Sequence, residues 1–91
     1  MNHPNKIENY DGTLEDLAKA IGNLSYDKTA EFIEKLADDI ERQADADYER
    51  GRIKLAKRLY KTADNLYKSK KEMDFAWKIC EPYMKDNSKN F

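Results

Sequence analysis

The chain has 91 residues, of which 38% are charged and 40% hydrophobic, and its formal net charge is -1. One domain of this size has a thin core, which excludes a deep substrate pocket. It lacks an apolar run of about 18 residues and a signal-peptide pattern, and Cys80 is its single cysteine. We therefore expect a cytoplasmic protein without a membrane segment or an internal disulfide.

We expect one helical domain over 1–91, with a loose arm at 1–10 and a frayed tail at 85–91. After the arm, Thr13 has the character of a helix N-cap, and Asp16 occupies the capping-box position. The apolar spacing that follows predicts a short helix over 14–22. Gly22-Asn23 then predicts a left-handed stop.

Ser25 is the next predicted cap, and the residues after it carry a broad apolar face typical of an amphipathic helix. This second helix extends from 26 to at least 43. The segment 45–51 could be a loop in which Asp47 caps a new helix, or a weakened continuation of the same helix. We favour a break, because an unbroken helix from 26 to 68 would be about 60 Å long.

The third predicted helix covers 50–68. Ser69 and Glu72 have capping-box spacing and predict a fourth helix with Cys80 buried on its apolar face. Pro82 should disturb its last turn. The short connections favour antiparallel neighbours. We thus predict an all-α fold, a small antiparallel bundle of three longer helices plus one short N-terminal helix.

Charge is sorted along the chain. Residues 31–49 contain eight acidic and two basic residues, whereas residues 50–71 contain nine basic and one acidic residue. The two blocks either pair with each other across adjacent helices or present two different surfaces to partners. The structural alternative, in which they pair, is the one we favour.

Two candidate partner-binding faces follow from this sorting. The acidic face could imitate a phosphate backbone and comprises Asp38, Asp39, Glu41, Asp45, Asp47 and Glu49. The basic face could contact phosphates, with Tyr60 and Tyr67 available for base stacking, although its bases rotate around the predicted helix. It comprises Arg50, Arg52, Lys54, Lys57, Arg58 and Lys61.

Catalytic and metal sites are not expected. His3 is the single histidine and lies in the arm, so a nucleophile would lack a rigid base. The acidic stretch does not complete a calcium loop, whose final Glu would fall at Ala56. We expect no enzyme activity and no cofactor.

The stretch from Asp11-Gly12-Thr13-Leu14-Glu15-Asp16-Leu17-Ala18 to Ile79-Cys80-Glu81-Pro82-Tyr83-Met84 resembles small helical proteins of phages and mobile elements, of which the anti-CRISPR proteins are the best known. The resemblance is one of size, charge and helical texture. It implies a stoichiometric inhibitor of a host nuclease or another nucleic-acid-handling complex. The alternatives are an RNA- or DNA-binding protein that uses the basic helix 50–71, and a helical dimerisation or assembly module.

Overall fold

The computed structural model describes residues 3–84. They form three α-helices, which are α1 (Leu14–Gly22), α2 (Tyr26–Glu49) and α3 (Ile53–Met84), and no strand occurs among them. The predicted all-α class is confirmed. Residues 3–10 of the predicted arm form neither helix nor strand, and the tail predicted at 85–91 lies outside the described residues.

Helix α1 begins as its sequence predicts and ends differently. The Asp16 amide donates to Thr13 Oγ1 at 3.0 Å, and the Thr13 amide donates back to Asp16 Oδ2 at 3.3 Å, which completes the capping box. The left-handed stop predicted at Gly22-Asn23 is wrong. Asn23 has right-handed dihedral angles, and its amide donates to the Lys19 and Ile21 carbonyl oxygens.

Ser25 occupies the N-cap of α2, but its side chain caps no amide. The Ser25 hydroxyl instead donates to Asp27 Oδ1 at 2.6 Å. The end of α1 is held by a different residue, because the buried Thr29 hydroxyl donates to the Ile21 carbonyl oxygen at 2.7 Å. This bond fixes α1 beside the first turn of α2.

The predicted break lies at 50–52, later than the 45–51 segment suggested. Gly51 has a left-handed φ of 82°. Its amide donates to the Tyr48 carbonyl, and the Arg52 amide donates to the Asp47 carbonyl at 2.9 Å. These two bonds form a Schellman motif, which requires a left-handed residue after the C-cap. Asp47 therefore belongs to the last turns of α2 and does not cap a new helix.

The predicted boundary at Ser69 is wrong, because α3 is continuous from Ile53 to Met84. An apolar or thiol side chain recurs every seven residues through this region, at Leu59, Leu66, Met73 and Cys80. Ending the helix at Ser69 would rotate the last two residues off the shared stripe. Pro82 lies in the final turn and offers no amide proton to the Lys78 carbonyl oxygen, yet the helix continues to Met84.

The contacts between α2 and α3 show that the two helices run antiparallel, because later residues of α3 contact earlier residues of α2. Tyr60 bonds to Asp45 and Tyr67 to Asp38. The predicted bundle of three longer helices is replaced, among the described residues, by a hairpin of two long helices with α1 at the open end.

Alanine residues are the most deeply buried residues between the two long helices. We call their line the alanine seam; it consists of residues spaced seven apart, Ala30, Ala37 and Ala44 in α2 and Ala56 and Ala63 in α3, each at most 2% exposed. Such spacing is that of a coiled coil, and small side chains there allow close approach of the backbones. The predicted burial of Cys80 is also confirmed.

The hairpin is one helical layer thick. The smallest dimension of the molecule is 14 Å, close to the diameter of a single helix with its side chains. No large side chain within residues 3–84 is fully buried, and α1 buries none of its residues. Both broad faces of the hairpin consequently meet solvent. None of the described helices is both long and apolar enough to cross a membrane.

Candidate partner-binding surfaces

The alanine seam divides the hairpin into two unlike faces. At about 100° per residue, Leu36 and Asp38 project to opposite sides of Ala37. Because Asp38 meets Tyr67 of α3, the polar sides of both helices share one face. The opposite sides, with Leu36 on α2 and Leu66 on α3, must share the other face. We call them the polar face and the apolar face.

Four carboxylates line the polar edge of α2. We call them the acidic row; it consists of Glu34, Asp38, Glu41 and Asp45. Spacings of four, three and four residues keep these side chains on one side of the helix over about 16 Å. Adjacent members are about 4.5–6 Å apart along the axis. Within residues 3–84 no three acidic, His or Cys side chains converge closely enough to hold a metal ion.

Two tyrosines of α3 hold members of the acidic row. The Tyr60 hydroxyl donates to Asp45 Oδ1, and the Tyr67 hydroxyl donates to Asp38 Oδ1 at 2.5 Å, with Glu41 Oε1 at 3.4 Å. The bond to Asp45 raises the pKa of Tyr60 to about 12, and the bond to Asp38 raises the pKa of Tyr67 well above its usual value. Both hydroxyls are thus engaged with α2, which opposes the predicted use of these rings for base stacking.

A lysine closes the row at its N-terminal end. Lys70 Nζ lies 2.8 Å from Asp74 Oδ2 and 3.9 Å from Glu34 Oε2. The hydrogen bond to Asp74 is the main cause of the raised pKa of Lys70. Glu34 and Lys70 were not among the predicted site residues, although the four-three-four spacing of acids from 34 to 45 was available as a signal.

The remaining predicted acids are separate from the row. Asp39 lies on the outer side of α2, where Gln43 at 2.8 Å and Arg42 at 2.9 Å lower the pKa of its carboxyl. Asp47 is 7% exposed and bonds to Arg52 at 2.9 Å. Glu49 is exposed as the last residue of α2. The structure thus brings three of the six predicted acids, at 38, 41 and 45, into one row.

The predicted basic residues also divide into two groups. Arg52 is half-buried against Asp47 and stabilises the turn, while Arg50 is exposed at the C-cap of α2. The others do not rotate around the helix as predicted. They lie on the solvent side of α3 opposite the alanine seam, together with Lys68, and we call this set the basic ridge; it consists of the exposed residues Lys54, Lys57, Arg58, Lys61 and Lys68.

The favoured pairing of acidic with basic block is wrong for most of these charges. Across the described residues, ion pairs that join the blocks occur at Arg52–Asp47 in the turn and at Lys70–Glu34. No residue of the basic ridge lies within 4.0 Å of a described carboxylate oxygen. The acids that face α3 bond to tyrosine hydroxyls and not to the basic ridge. The basic ridge is therefore available to a partner.

Apolar side chains are exposed at the open end of the hairpin as well. Leu14 of α1 is 71% exposed, and Ile79 on the outer side of α3 is 74% exposed. Phe75 and Tyr83 lie one turn to either side of Ile79, and Lys78 Nζ is 5.9 Å from the centre of the Phe75 ring. The turn end of the molecule is therefore charged, and the open end is largely apolar.

Comparisons with known proteins add no relative to this picture. No model of a protein family matches the chain, and no match was found among curated proteins or solved structures. The functional argument consequently rests on the residues themselves.

Proposed function

We propose that the protein is a non-enzymatic binding protein that docks through its acidic row on a basic surface of a nucleic-acid-handling protein. The observation that carries the proposal is that, among residues 3–84, no basic nitrogen lies within 4.0 Å of the carboxylates of Asp38, Glu41 and Asp45. A row of carboxylates that α3 neutralises at one end leaves a negative field along the polar face. A basic channel that binds phosphates on another protein would attract this negatively charged face.

The positions of the charges relative to the helix ends also support binding. The last turn of α2 contains no base and includes Glu49, and the first turn of α3 contains no acid. Glu49 opposes the dipole of α2, which costs up to about 1 kcal/mol, and Arg50 at the C-cap supplies the opposite charge. Both side chains are exposed at the turn end, where a charged partner can reach them.

The tyrosine hydroxyls fix the positions of two carboxylates of the acidic row. A carboxylate held by a hydroxyl from the neighbouring helix loses less side-chain freedom when a partner binds. Asp38 and Asp45 are held in this way, so Tyr60 and Tyr67 act as positioning residues for a docking surface. The resemblance to anti-CRISPR proteins would make the target a guide-loaded nuclease of a host defence system.

Binding to a panel of guide-loaded CRISPR nucleases tests the proposal. We expect one-to-one inhibition of target-DNA binding, which weakens as salt increases. The triple variant Asp38→Asn, Glu41→Gln and Asp45→Asn removes three charges from the row while keeping polar groups of the same shape for the tyrosines. We expect at least tenfold weaker inhibition for it, which is about 1.4 kcal/mol.

The matched control removes three exposed charges elsewhere, by Glu8→Gln, Glu72→Gln and Glu81→Gln. It should inhibit as well as the natural sequence. Equal inhibition by the row variant and the natural sequence would show that the acidic row is not the docking surface. Absence of inhibition across the panel would reject this class of target.

The basic ridge supports a second candidate function, binding of RNA or DNA by the chain itself. It extends over about 21 Å of α3, and its charges lack carboxylate partners in residues 3–84. Electrophoretic mobility shift at 50 and 200 mM salt tests it, since phosphate contacts require a steep salt dependence. Lys54→Gln with Lys61→Gln should weaken the shift, and Lys19→Gln with Lys28→Gln should not. No shift at 50 mM salt rejects this candidate.

A further inference from the structure

We propose that the apolar face of the hairpin is covered by a second copy of this chain, so that two hairpins form a four-helix dimer. The apolar face is represented by three exposed or half-buried side chains on each helix, Phe32, Leu36 and Ile40 on α2 and Leu59, Leu66 and Met73 on α3. It lies opposite the acidic row, and the proposal is independent of the function assigned to that row.

The apolar face is a core surface without a covering layer. Phe32 and Leu36 are 42% and 40% exposed, although both belong to the amphipathic pattern of α2. Leu59, Leu66 and Met73 repeat every seven residues, and each is half-buried at best. A helical pair in a bundle has this pattern when its inner side meets another pair of helices. Helix α1 leaves these side chains exposed.

The area of the face fits a reversible dimer. From 29 to 43 on α2, and from 59 to 73 on α3, the face is about 21 Å long, and two helices side by side are about 20 Å wide. The footprint is then about 420 Å² per copy, or about 840 Å² for two copies, which is the size of a weak, reversible interface.

Charge distribution selects a second copy as the occupant. Between positions 29 and 43 of α2, the side chains flanking the seam on the apolar side are uncharged, and those of α3 are uncharged apart from Arg58 at the margin. Two copies can therefore meet face to face without opposing like charges. The acidic row would repel its own copy, but a face-to-face dimer keeps both rows on the outside. The interface is self-complementary, as two-fold symmetry requires.

Sedimentation equilibrium of the full chain tests this proposal, at 150 mM and at 1 M NaCl. We expect a species of about twice 10.7 kDa that persists in high salt, because apolar association does not weaken as charges are screened. Leu36→Glu places a carboxylate in the centre of the face and should raise the dissociation constant at least about 100-fold.

The control is Lys35→Glu, which introduces the same side chain at the adjacent, outward-facing position. It should remain a dimer, and circular dichroism should show whether both variants stay helical. A monomeric natural chain at 100 μM would overturn the proposal and leave the face open to an unlike partner. Dimers of unchanged affinity in folded Leu36→Glu would also overturn it, since another surface would then hold the copies together. Should Leu36→Glu unfold, the mass of the natural chain still decides.

Discussion

Two glycines of this chain differ in the reason for their presence. A methyl group added at Gly22 or at Gly51 would meet no heavy atom within 4 Å, so space is not the distinction. Gly51 has a φ of +82° inside the Schellman motif, whereas Gly22 closes α1 without a positive φ. Backbone conformation alone should therefore decide how an alanine at each position changes the free energy of unfolding.

We predict opposite effects of alanine at the two positions. Gly51→Ala should lower the free energy of unfolding by about 1 kcal/mol, because an L-residue is strained in the left-handed region. Gly22→Ala should raise it by about 0.5 kcal/mol, because alanine loses less entropy on entering a helix. Urea unfolding followed by circular dichroism measures both, and equal signs would contradict the assigned turn geometry.

The tyrosine held by Asp45 gives a prediction about pH. The folded pKa of Tyr60 is raised to about 12, above the usual value near 10. Its hydrogen bond therefore stabilises the fold fully below pH 10, and that stabilisation is lost as the pH rises from 10 to 12. The difference in unfolding midpoint between the natural chain and Tyr60→Phe should shrink over this window.

Absorbance of tyrosinate at 295 nm gives the same pKa directly. Subtracting the titration of Tyr60→Phe from that of the natural chain should leave one step near pH 12. In Asp45→Asn the step should move to lower pH, because the charged acceptor has been removed. A step near pH 10 in the natural chain would mean that Tyr60 does not bond to Asp45 in solution.

At the level of elements, the turn between α2 and α3 is stabilised by one side-chain pair. Asp47 and Arg52 are joined at 2.9 Å, and the Asp47 side chain is 10% exposed. We predict that Arg52→Ala lowers the free energy of unfolding by about 1–3 kcal/mol, because it leaves a buried carboxylate without its partner.

A double-mutant cycle separates this pair from its surroundings. Asp47→Ala should cost less once Arg52 is already alanine, and exposed Arg50→Ala serves as the control for loss of an arginine at the turn. Additive costs for Asp47 and Arg52 would contradict the coupling.

The alanine seam gives a second prediction for the elements. Ala37 is fully buried between the long helices, so Ala37→Leu must push the backbones apart and should cost about 1–3 kcal/mol. Ala18→Leu is the control, because Ala18 is exposed on α1. Thermal unfolding of both variants measures the difference. A seam that accepts leucine without loss would mean that the helices are not closely packed there.

The element boundaries show how far the sequence could be read. The capping box at Thr13 is local, and it was predictable because both partners lie within one turn of α1. Ser69 and Glu72 have a similar local pattern, but it was overridden by the seven-residue repeat that keeps Met73 and Cys80 aligned with Leu66. That repeat was present in the sequence, and giving it precedence over the capping box would have predicted one long helix.

The candidate surfaces were less predictable for a physical reason. Which carboxylates form a row depends on how α2 is rotated about its axis, and the tyrosine contacts across the hairpin reveal that rotation. The sequence identified Asp38, Glu41 and Asp45 as acidic candidates but could not separate them from Asp47, whose burial depends on the turn. Local sequence patterns also could not predict that these acids bond to tyrosines and not to lysines, because the partners lie on different helices.

For the whole molecule, we propose different roles for the two faces of the hairpin. In this proposal a second copy covers the apolar face, while the polar face and the basic ridge stay outside and meet charged partners. This arrangement accounts for a thin hairpin whose described residues include no fully buried large side chain. Its stability should therefore depend on association.

The dependence of the melting temperature on protein concentration tests this account most directly. Heating the natural chain at 5, 50 and 500 μM, in 150 mM and in 1 M NaCl, separates apolar association from charge pairing. We predict a melting temperature that rises by several degrees at each tenfold step in both salts, because folding and dimer formation are coupled. A melting temperature independent of concentration, or one whose dependence disappears in 1 M NaCl, would contradict the assignment of the apolar face to a second copy.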